Sequence, residues 1–336
     1  MKKLSTQNKY QLLIDDIGKI LEKGRRQAFV VVNQILVKTY WEIGRLIVEY
    51  EQAGKQKAEY GSKLFEKIAA DLKKRYGKGF SRSNIIYMRL FYKKYPKSQT
   101  MSDQLSWSHY VELLSVSDNL GRSFYEKQCL REKWSVRELS RQINSILFER
   151  IALSKDKKGV LELAKRGQII KQEEDIIKEP YILEFLGISE NYRYSEKELE
   201  QKIIDHLQMF LLELGKGFTF VKRQFRITLN NTHFYVDLVF YHRILKCFVL
   251  IDLKIGHVNH LDIGQMNMYL NYFQAEENAK DDNQPIGLIL AADKNEVMVR
   301  YALGGISNKL FVSKYKLYLP DKKELAERVK KLLEKK

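Results

Sequence analysis

The chain has 336 residues, enough for about two domains that each bury a core. Its 44% hydrophobic and 12% aromatic residues are typical of a globular protein and exclude a disordered or fibrous one. Lys and Arg number 59 against 42 acids, so the expected partner is a polyanion, with nucleic acid ahead of an acidic membrane. No apolar run approaches the roughly 20 residues that span a bilayer, and the N-terminus lacks an apolar secretory segment, so we expect a cytoplasmic protein without membrane contact. The spacing of Cys129 and Cys247 predicts neither a disulfide framework nor a zinc ribbon, and no organic cofactor is expected.

The basic surplus lies in the first part of the chain. Residues 1–150 hold 29 Lys and Arg against 16 acids, whereas the remainder holds 30 against 26. Apolar residues from Val30 to Ile47 recur at helical spacing and glycines are few, so the sequence predicts an all-helical domain over residues 1–150. Residues 151–190 mix charges with short apolar runs and are predicted to form a connector.

A basic cluster marks the predicted helical domain. Nine Lys and Arg and no acid lie between Lys73 and Lys97. Ser81 is placed to cap the helix that follows, and a second capped helix is expected to begin at Ser135, which favours a helix-turn-helix or winged-helix relative. The alternative is that these charges only solvate helix faces. The residues predicted to contact nucleic acid, with the first three facing outward, are Arg82, Asn84, Arg89, Lys93 and Lys94.

The pattern changes at Ser195. A helix opens there with a capping box, Ser195 to Glu198, and closes at Gly215. Three strand-like runs follow in series, and then a helix, a strand, a helix and a last strand. Residues 191–336 are therefore predicted to form an α/β domain.

Three charges interrupt two apolar strands in the stretch FYVDLVFYHRILKCFVLIDLKIG. Asp252 and Lys254 are two residues apart and share a strand face, and a turn at Ile244-Leu245 would place Asp237 directly opposite Asp252. Facing carboxylates repel each other unless a cation binds, and oxygen ligands suit Mg²⁺ or Mn²⁺. Lys254 can then orient or deprotonate a water, or stabilise charge on a phosphate. The alternative, a wet face of an edge strand, fits less well because the strand is otherwise apolar on both faces.

Two helices add further candidates. Glu200 shares a helix face with apolar residues, which aims it at the sheet as a third metal ligand, although a glutamate at the edge of an apolar stripe is the alternative. Gln265 and Tyr269 are four residues apart on one face of the next helix, where both can hydrogen-bond a phosphate or a metal-bound water. That pair also occurs often by chance.

This layout resembles the PD-(D/E)XK nuclease superfamily, in particular its RecB-like and Holliday-junction-resolvase-like members. Blocks such as YWEIGRLIVEYEQ, LSWSHYVELL, EPYILEFLGI and IGLILAADKNE, from about residue 20 to residue 320, resemble the YhcG family of predicted nucleases. The resemblance implies a helical N-terminal domain followed by a restriction-endonuclease-like α/β domain with a mixed central sheet. Val236 replaces the proline of the signature, and Asp252 replaces its more usual glutamate. The resemblance matches Asp237, Asp252 and Lys254 to the catalytic residues, Glu200 to the helix acid, and Gln265 with Tyr269 to the helix motif.

The expected function is a metal-dependent DNA endonuclease that uses Mg²⁺ or Mn²⁺. Its expected substrate is duplex or branched DNA, with a role in recombination or in defence against foreign DNA, and a homodimer would suit double-strand cutting. Two alternatives stay open. One is a DNA-binding or scaffolding module on a nuclease fold that is inactive alone or needs a partner, and the other is a nuclease that acts on RNA.

Overall fold

The computed structural model of the chain describes residues 6–53, 61–97, 102–153, 155–189, 193–319 and 321–334. The chain divides into two compact units. The first consists of Met1–Arg122 and Lys133–Leu139, and the second of Ser123–Glu132 and Ser140–Lys336. The predicted division at residues 150 and 190 stays a prediction. Among the described residues, no helix is both long enough and apolar enough to cross a membrane.

The first unit is helical, as the sequence predicts. Ser81 accepts a hydrogen bond from the backbone N–H of Asn84, and Ser135 forms a capping box with Glu138, so both predicted caps are confirmed. A Cβ on Gly44 would lie 2.0 Å from the carbonyl oxygen of Met88, so only glycine lets the first and third helices approach this closely. The helices up to residue 144 are α1 (Thr6–Ala53), α2 (Gly61–Tyr76), α3 (Arg82–Lys94), α4 (Trp107–Leu114), α5 (Asn119–Glu132) and α6 (Val136–Asn144), and the last two have residues assigned to each unit.

The second unit is built on a six-stranded mixed sheet. Its strands are β1 (Tyr181–Ile182), β2 (Phe218–Leu229), β3 (Thr232–His242), β4 (Cys247–His257), β5 (Ile286–Asp293) and β6 (Lys309–Lys316). They lie in the order β1-β6-β5-β4-β3-β2, in which β3 is antiparallel to both its neighbours and the other pairs are parallel. The mixed sheet is confirmed, and its edge strand β1 comes from the predicted connector.

Helices cover both faces of this sheet. The remaining helices of the second unit are α7 (Leu147–Ala152), α8 (Lys157–Arg166), α9 (Glu196–Asp205), α10 (Leu207–Leu214), α11 (His260–Tyr272), α12 (Glu296–Leu303) and α13 (Lys322–Glu334). One core packs α9 and α10 against side chains such as Ile251, and the other packs α11 and α12 against side chains such as Leu250. The single helix predicted from Ser195 to Gly215 is in fact two, because the backbone leaves helical geometry at His206.

The β3–β4 hairpin has the predicted register. Leu238 pairs with Ile251 and His242 pairs with Cys247. One further step in the same register places Asp237 opposite Asp252, at the point where the ladder ends. There the Asp237 carboxylate accepts a hydrogen bond from the backbone N–H of Leu253 at 2.8 Å. The hairpin thus delivers two acids to one place.

Candidate active site

Asp252 and Lys254 lie on the same face of β4, as the pleat predicts. Leu253 points the other way into the core and is fully buried. Asp252 is only 4% exposed, and its Oδ2 lies 2.9 Å from the Lys254 ammonium. The prediction that these charges are not on a wet edge is confirmed, because β4 lies between β3 and β5.

Lys254 is surrounded by more acid than the sequence indicated. Besides Asp252, its ammonium lies 3.8 Å from Asp262 in the first turn of α11 and 4.0 Å from Glu196 in the first turn of α9. Burial lowers the pKa of Lys254, but the charge of Asp252 and these further acids outweighs it and raises the pKa above its usual range. Lys254 is therefore held as a cation.

Glu200 and Asp237 are joined by a residue that the sequence did not single out. The side-chain amide of Gln224, on β2, donates to Asp237 Oδ1 at 3.0 Å and also donates a short hydrogen bond to Glu200 Oε2. Glu200 lies on α9 and is 4% exposed, so the prediction that it faces the sheet is confirmed. A single amide thus links the helix acid to the strand acid.

The backbone of Gln224 is unusual for a strand residue. Its φ is 47°, in the left-handed region that favours glycine, and its immediate neighbours Arg223 and Phe225 remain paired with β3. A non-glycine residue in this region costs about 1–2 kcal/mol, which the surrounding contacts must offset. The conformation turns the amide toward the two carboxylates. No local sequence signal marks this, because VKRQFRITL reads as an ordinary strand.

The acids have the electrostatics of an incomplete site. Burial, and then the charge of Asp237, raise the pKa of Asp252 to about 7, and the ammonium of Lys254 only partly opposes this. Burial also raises the pKa of Glu200, where the Gln224 hydrogen bond opposes the shift and the Asp237 charge adds to it. Such shifts arise where acids outnumber the cations that could neutralise them.

The donor set fits a hard divalent cation. All three candidate ligands are carboxylates, the class of ligand that Mg²⁺ and Mn²⁺ prefer. Glu200 Oε1 is buried and lacks a hydrogen-bond partner among the described residues, although Arg223 Nε lies 3.3 Å away. Within the described ranges, however, no three His, Cys, Asp or Glu side chains converge as metal ligands. Their oxygens are instead directed at the hydrogen-bond donors of Gln224 and Lys254.

Gln265 and Tyr269 of α11 do lie on one face, as predicted, but their polar groups contact the protein itself. Gln265 donates a short hydrogen bond to the hydroxyl of Tyr269. That hydroxyl in turn donates to the backbone carbonyl of Tyr235 at 3.0 Å, and Tyr269 is fully buried. The pair therefore fastens α11 to β3 two residues before Asp237.

The candidate side chains of the basic cluster differ in how exposed they are. Arg82 is exposed with a weak ion pair to Glu66 at 3.4 Å, and Lys93 is exposed, whereas Lys94 donates to the carbonyl of Ser117 at 3.5 Å. The prediction that Asn84 and Arg89 face outward is wrong. Asn84 bonds the Gly79 carbonyl and the Trp107 indole, and Arg89 pairs with Glu51 at 2.7 Å. Contact of these five residues with DNA stays a prediction.

A mixed sheet with helices on both faces, and two acids and a lysine gathered at a central hairpin, is the arrangement expected of a PDDEXK nuclease. Residues 174–331 match the YhcG PDDEXK nuclease domain, and residues 16–150 match the DUF1016 N-terminal domain. The chain is 41% identical to the protein named "Putative nuclease YhcG" from Escherichia coli (strain K12), over 95% of this chain and 93% of that protein. The chain belongs to the YhcG family of PDDEXK nucleases. Nucleases of the PDDEXK type generally use divalent metal ions.

Two solved structures are similar over part of the chain. One is the crystal structure of a repair endonuclease from Pyrococcus abyssi, 19% identical over 39% of this chain and 50% of that chain, with a TM-score of 0.27. The other is the structure of an EndoMS-dsDNA2 complex, 16% identical over 40% of this chain and 51% of that chain, also with a TM-score of 0.27. This chain thus spans about half of each of them, and scores this low do not bear on function.

Proposed function

We propose that the protein is a metal-dependent DNA endonuclease in which Asp237, Asp252 and Glu200 hold Mg²⁺ or Mn²⁺. The observation that supports this most is the pairing of two like-charged acids across a buried hairpin, with the pKa of Asp252 raised to about 7. Burying two carboxylates side by side destabilises a fold. A site that keeps this arrangement is suited to receive a cation.

In the proposed reaction, a bound divalent cation would polarise the phosphate and acidify a water. Lys254 presents a cation held by Asp252 at 2.9 Å. Because the surrounding acids raise its pKa, we propose that Lys254 stabilises charge on the phosphate rather than removing a proton. Gln265 and Tyr269 would act by positioning β3, and hence Asp237, through the Tyr235 carbonyl.

The helical first unit is proposed to hold the DNA. Arg82 and Lys93 are its most available candidates for phosphate contacts, because their side chains are exposed on α3. The N-terminus of α3 adds backbone amides beside Arg82. A helix-turn-helix or winged-helix role for the two capped helices, α3 and α6, belongs to the same proposal, as does a homodimer for double-strand cutting.

The experiment that tests the enzyme is cleavage of supercoiled, linear and four-way-junction DNA, and of RNA, with Mg²⁺, Mn²⁺ or a chelator. Wild type is compared with Asp237→Ala, Lys254→Ala and the control Asp205→Ala, which removes an exposed acid of α9. Metal-dependent cutting that is lost in the first two variants and kept in the control supports the proposal. The substrate cut fastest identifies the preferred nucleic acid.

A DNA-binding or scaffolding module is the second candidate function. It is favoured by one observation, that the acids of the described residues contact hydrogen-bond donors instead of converging on a point. This candidate predicts no cutting by any of the four proteins and equal binding by all of them. Binding would then depend on the first unit, so that Arg82→Ala with Lys93→Ala weakens it and lowers the salt dependence by about 0.9 per lost contact.

A further inference from the structure

An exposed apolar stripe runs along the first half of α1. Its members, the α1 stripe, recur at alternating intervals of three and four residues: Ile14, Ile17, Leu21, Gly24, Ala28, Val31 and Ile35. Its large side chains are between 42% and 61% exposed. Such a run is unexpected on a surface, because a contiguous apolar stripe of this length normally packs against another element.

The described residues of the first unit leave this stripe uncovered. The second half of α1 is buried through Val37, Trp41, Ile47 and Val48, and it packs on α3 and α4. At 100° per residue, that buried face points about 180° away from the α1 stripe. The second half of α1 therefore packs an apolar face against its own unit. The α1 stripe, in the first half of the helix, points in the opposite direction.

The spacing of the stripe indicates what kind of partner fits. Alternating steps of three and four residues give a period of 3.5, which keeps a seam facing another long helix. The stripe extends for about 32 Å at 1.5 Å per residue, whereas the next longest helix of the described residues, α2, has 16 residues. A second copy of α1, with its 48 residues, can cover the whole stripe.

Two small residues support a close helical contact. Gly24 lies in the middle of α1, where glycine is among the least favourable residues, and the space where its Cβ would lie has no atom within 4 Å. Ala28 follows one turn later on the same face. Small residues at this point let two helix backbones approach closely, which gives the otherwise unfavourable glycine a purpose.

The charges of α1 argue against DNA as the occupant. None of the stripe residues is charged, and the exposed ion pair of Lys19 with Asp16, at 2.8 Å, lies on the other side of the helix. We infer that the protein self-associates through the α1 stripe, which pairs with the α1 stripe of a second copy to form a homodimer. This inference does not depend on nuclease activity, because it rests on α1 alone.

The test is the mass of the full-length protein in solution, measured by light scattering and sedimentation over a range of concentrations without DNA or metal. Wild type is expected to be a dimer. Leu21→Glu with Val31→Glu places charges in the seam and should raise the dimer dissociation constant at least about 100-fold. The matched control, Lys19→Glu with Lys23→Glu, adds negative charge to other faces of the same helix and should remain dimeric.

A milder substitution guards against loss of folding. Two single-cysteine variants, Leu21→Cys and Ala28→Cys, are oxidised separately and as a mixture, and at least one of these samples should form a covalent dimer. The control Lys19→Cys should form none. The two native cysteines are buried and stay out of the reaction. A monomeric wild type, or a dimer that survives the seam glutamates and forms no seam cross-link, overturns the inference. If each variant cross-links by itself, the two helices are parallel. If only the mixture cross-links, they are antiparallel.

Discussion

The second unit contains two buried groups of charges that behave in opposite ways. The first, called the acidic site, consists of Glu200, Asp237, Asp252 and Lys254, and in it the pKa of Asp252 is raised. The second, called the Arg150 cluster, joins α6, α7, α10 and the segment before β1 through the side chains of Arg141, Arg150, Lys178 and Glu213. Both are shielded from solvent, so burial alone does not distinguish them.

In the Arg150 cluster the carboxylate of Glu213 has several partners. Glu213 is fully buried, and its carboxylate lies 2.5 Å from Arg150 and 3.2 Å from Arg141 while it also accepts from the backbone N–H of Ile182 at 3.0 Å. Burial alone would raise the pKa of Glu213, but the charges of Arg150, Lys178 and Arg141 together lower it to about 2. The cluster thus holds Glu213 ionised, whereas burial and then the charges of Arg150 and Arg141 lower the pKa of Lys178 to about 8, which the charge of Glu213 only partly opposes.

The acidic site has the opposite balance. There the carboxylates outnumber the cations, and the pKa of Asp252 rises to about 7 where that of Glu213 falls to about 2. Glu213 is neutralised by cations of the protein itself and needs no ligand, whereas an excess of buried acid destabilises the fold until a cation binds. The opposite signs of these two pKa shifts therefore distinguish Glu213 of the Arg150 cluster from Asp252 of the proposed active site.

The sharpest test of this contrast is Asp252→Asn. The neutral isostere removes the repulsion from Asp237 and can still accept from Lys254, so the melting temperature should stay level or rise. Cleavage should nevertheless fall by at least about 10³-fold, because a proposed metal ligand is lost. Melting and cleavage rate are measured on the same samples, with Asp205→Asn as the control. A large drop in melting temperature would make Asp252 a structural residue like Glu213.

The reverse dissociation is expected in the Arg150 cluster. Glu213→Gln leaves the buried Arg150 without its carboxylate and should lower the free energy of unfolding by about 3–5 kcal/mol. Its control, Glu162→Gln, removes a surface ion pair to Arg166 and should change stability by less than about 0.5 kcal/mol. Urea denaturation followed by circular dichroism measures both. Glu213→Gln with full stability and lost cleavage would contradict the assignment.

A pH series tests the same carboxylate without relying on one variant. Because the folded-state pKa of Glu213 lies below its ordinary value of 4.5, its contribution is complete above about pH 4.5 and is lost as the pH falls toward about 2. The full contribution is about 3 kcal/mol. The difference in unfolding free energy between wild type and Glu213→Gln should therefore shrink by about 2 kcal/mol between pH 6 and pH 3. A difference independent of pH would show that Glu213 is not held ionised by its partners.

Local patterns predicted much of this molecule. The caps at Ser81, Ser135 and Ser195 follow from a hydroxyl residue and a following glutamate or turn, and the register of the β3–β4 hairpin follows from the position of its turn. Each depends on residues close together in sequence. The placement of Asp237 opposite Asp252 could therefore be read before the fold was known.

Other features depend on contacts that no local pattern encodes. Arg150 contacts Glu213, which lies 63 residues later in the sequence. Strand β1 pairs with β6, at the edge of the sheet opposite to β2, the next strand in sequence. The outward orientation predicted for Arg89 failed because Glu51, 38 residues earlier, competes for its guanidinium. The contacts of Gln224 were not predicted for a related reason. They depend on a positive φ angle, which glutamine seldom adopts and which the sequence does not indicate.

Gln224 gives the finest test of the contrast, because it is a neutral donor inside the acidic site. Gln224→Leu removes the amide that joins Glu200 to Asp237 and should weaken Mn²⁺ binding and cleavage by about 10–100-fold. The control Gln201→Leu changes a neighbouring exposed amide that contacts Arg223 instead.

Calorimetric Mn²⁺ titration separates the two roles that Gln224 could have. If Gln224 positions the ligands, affinity falls while stability changes little, since the loss of a hydrogen bond is offset by an apolar contact. If affinity is unchanged and only stability falls, the amide belongs with the structural contacts of the Arg150 cluster, and the left-handed backbone at Gln224 needs another explanation.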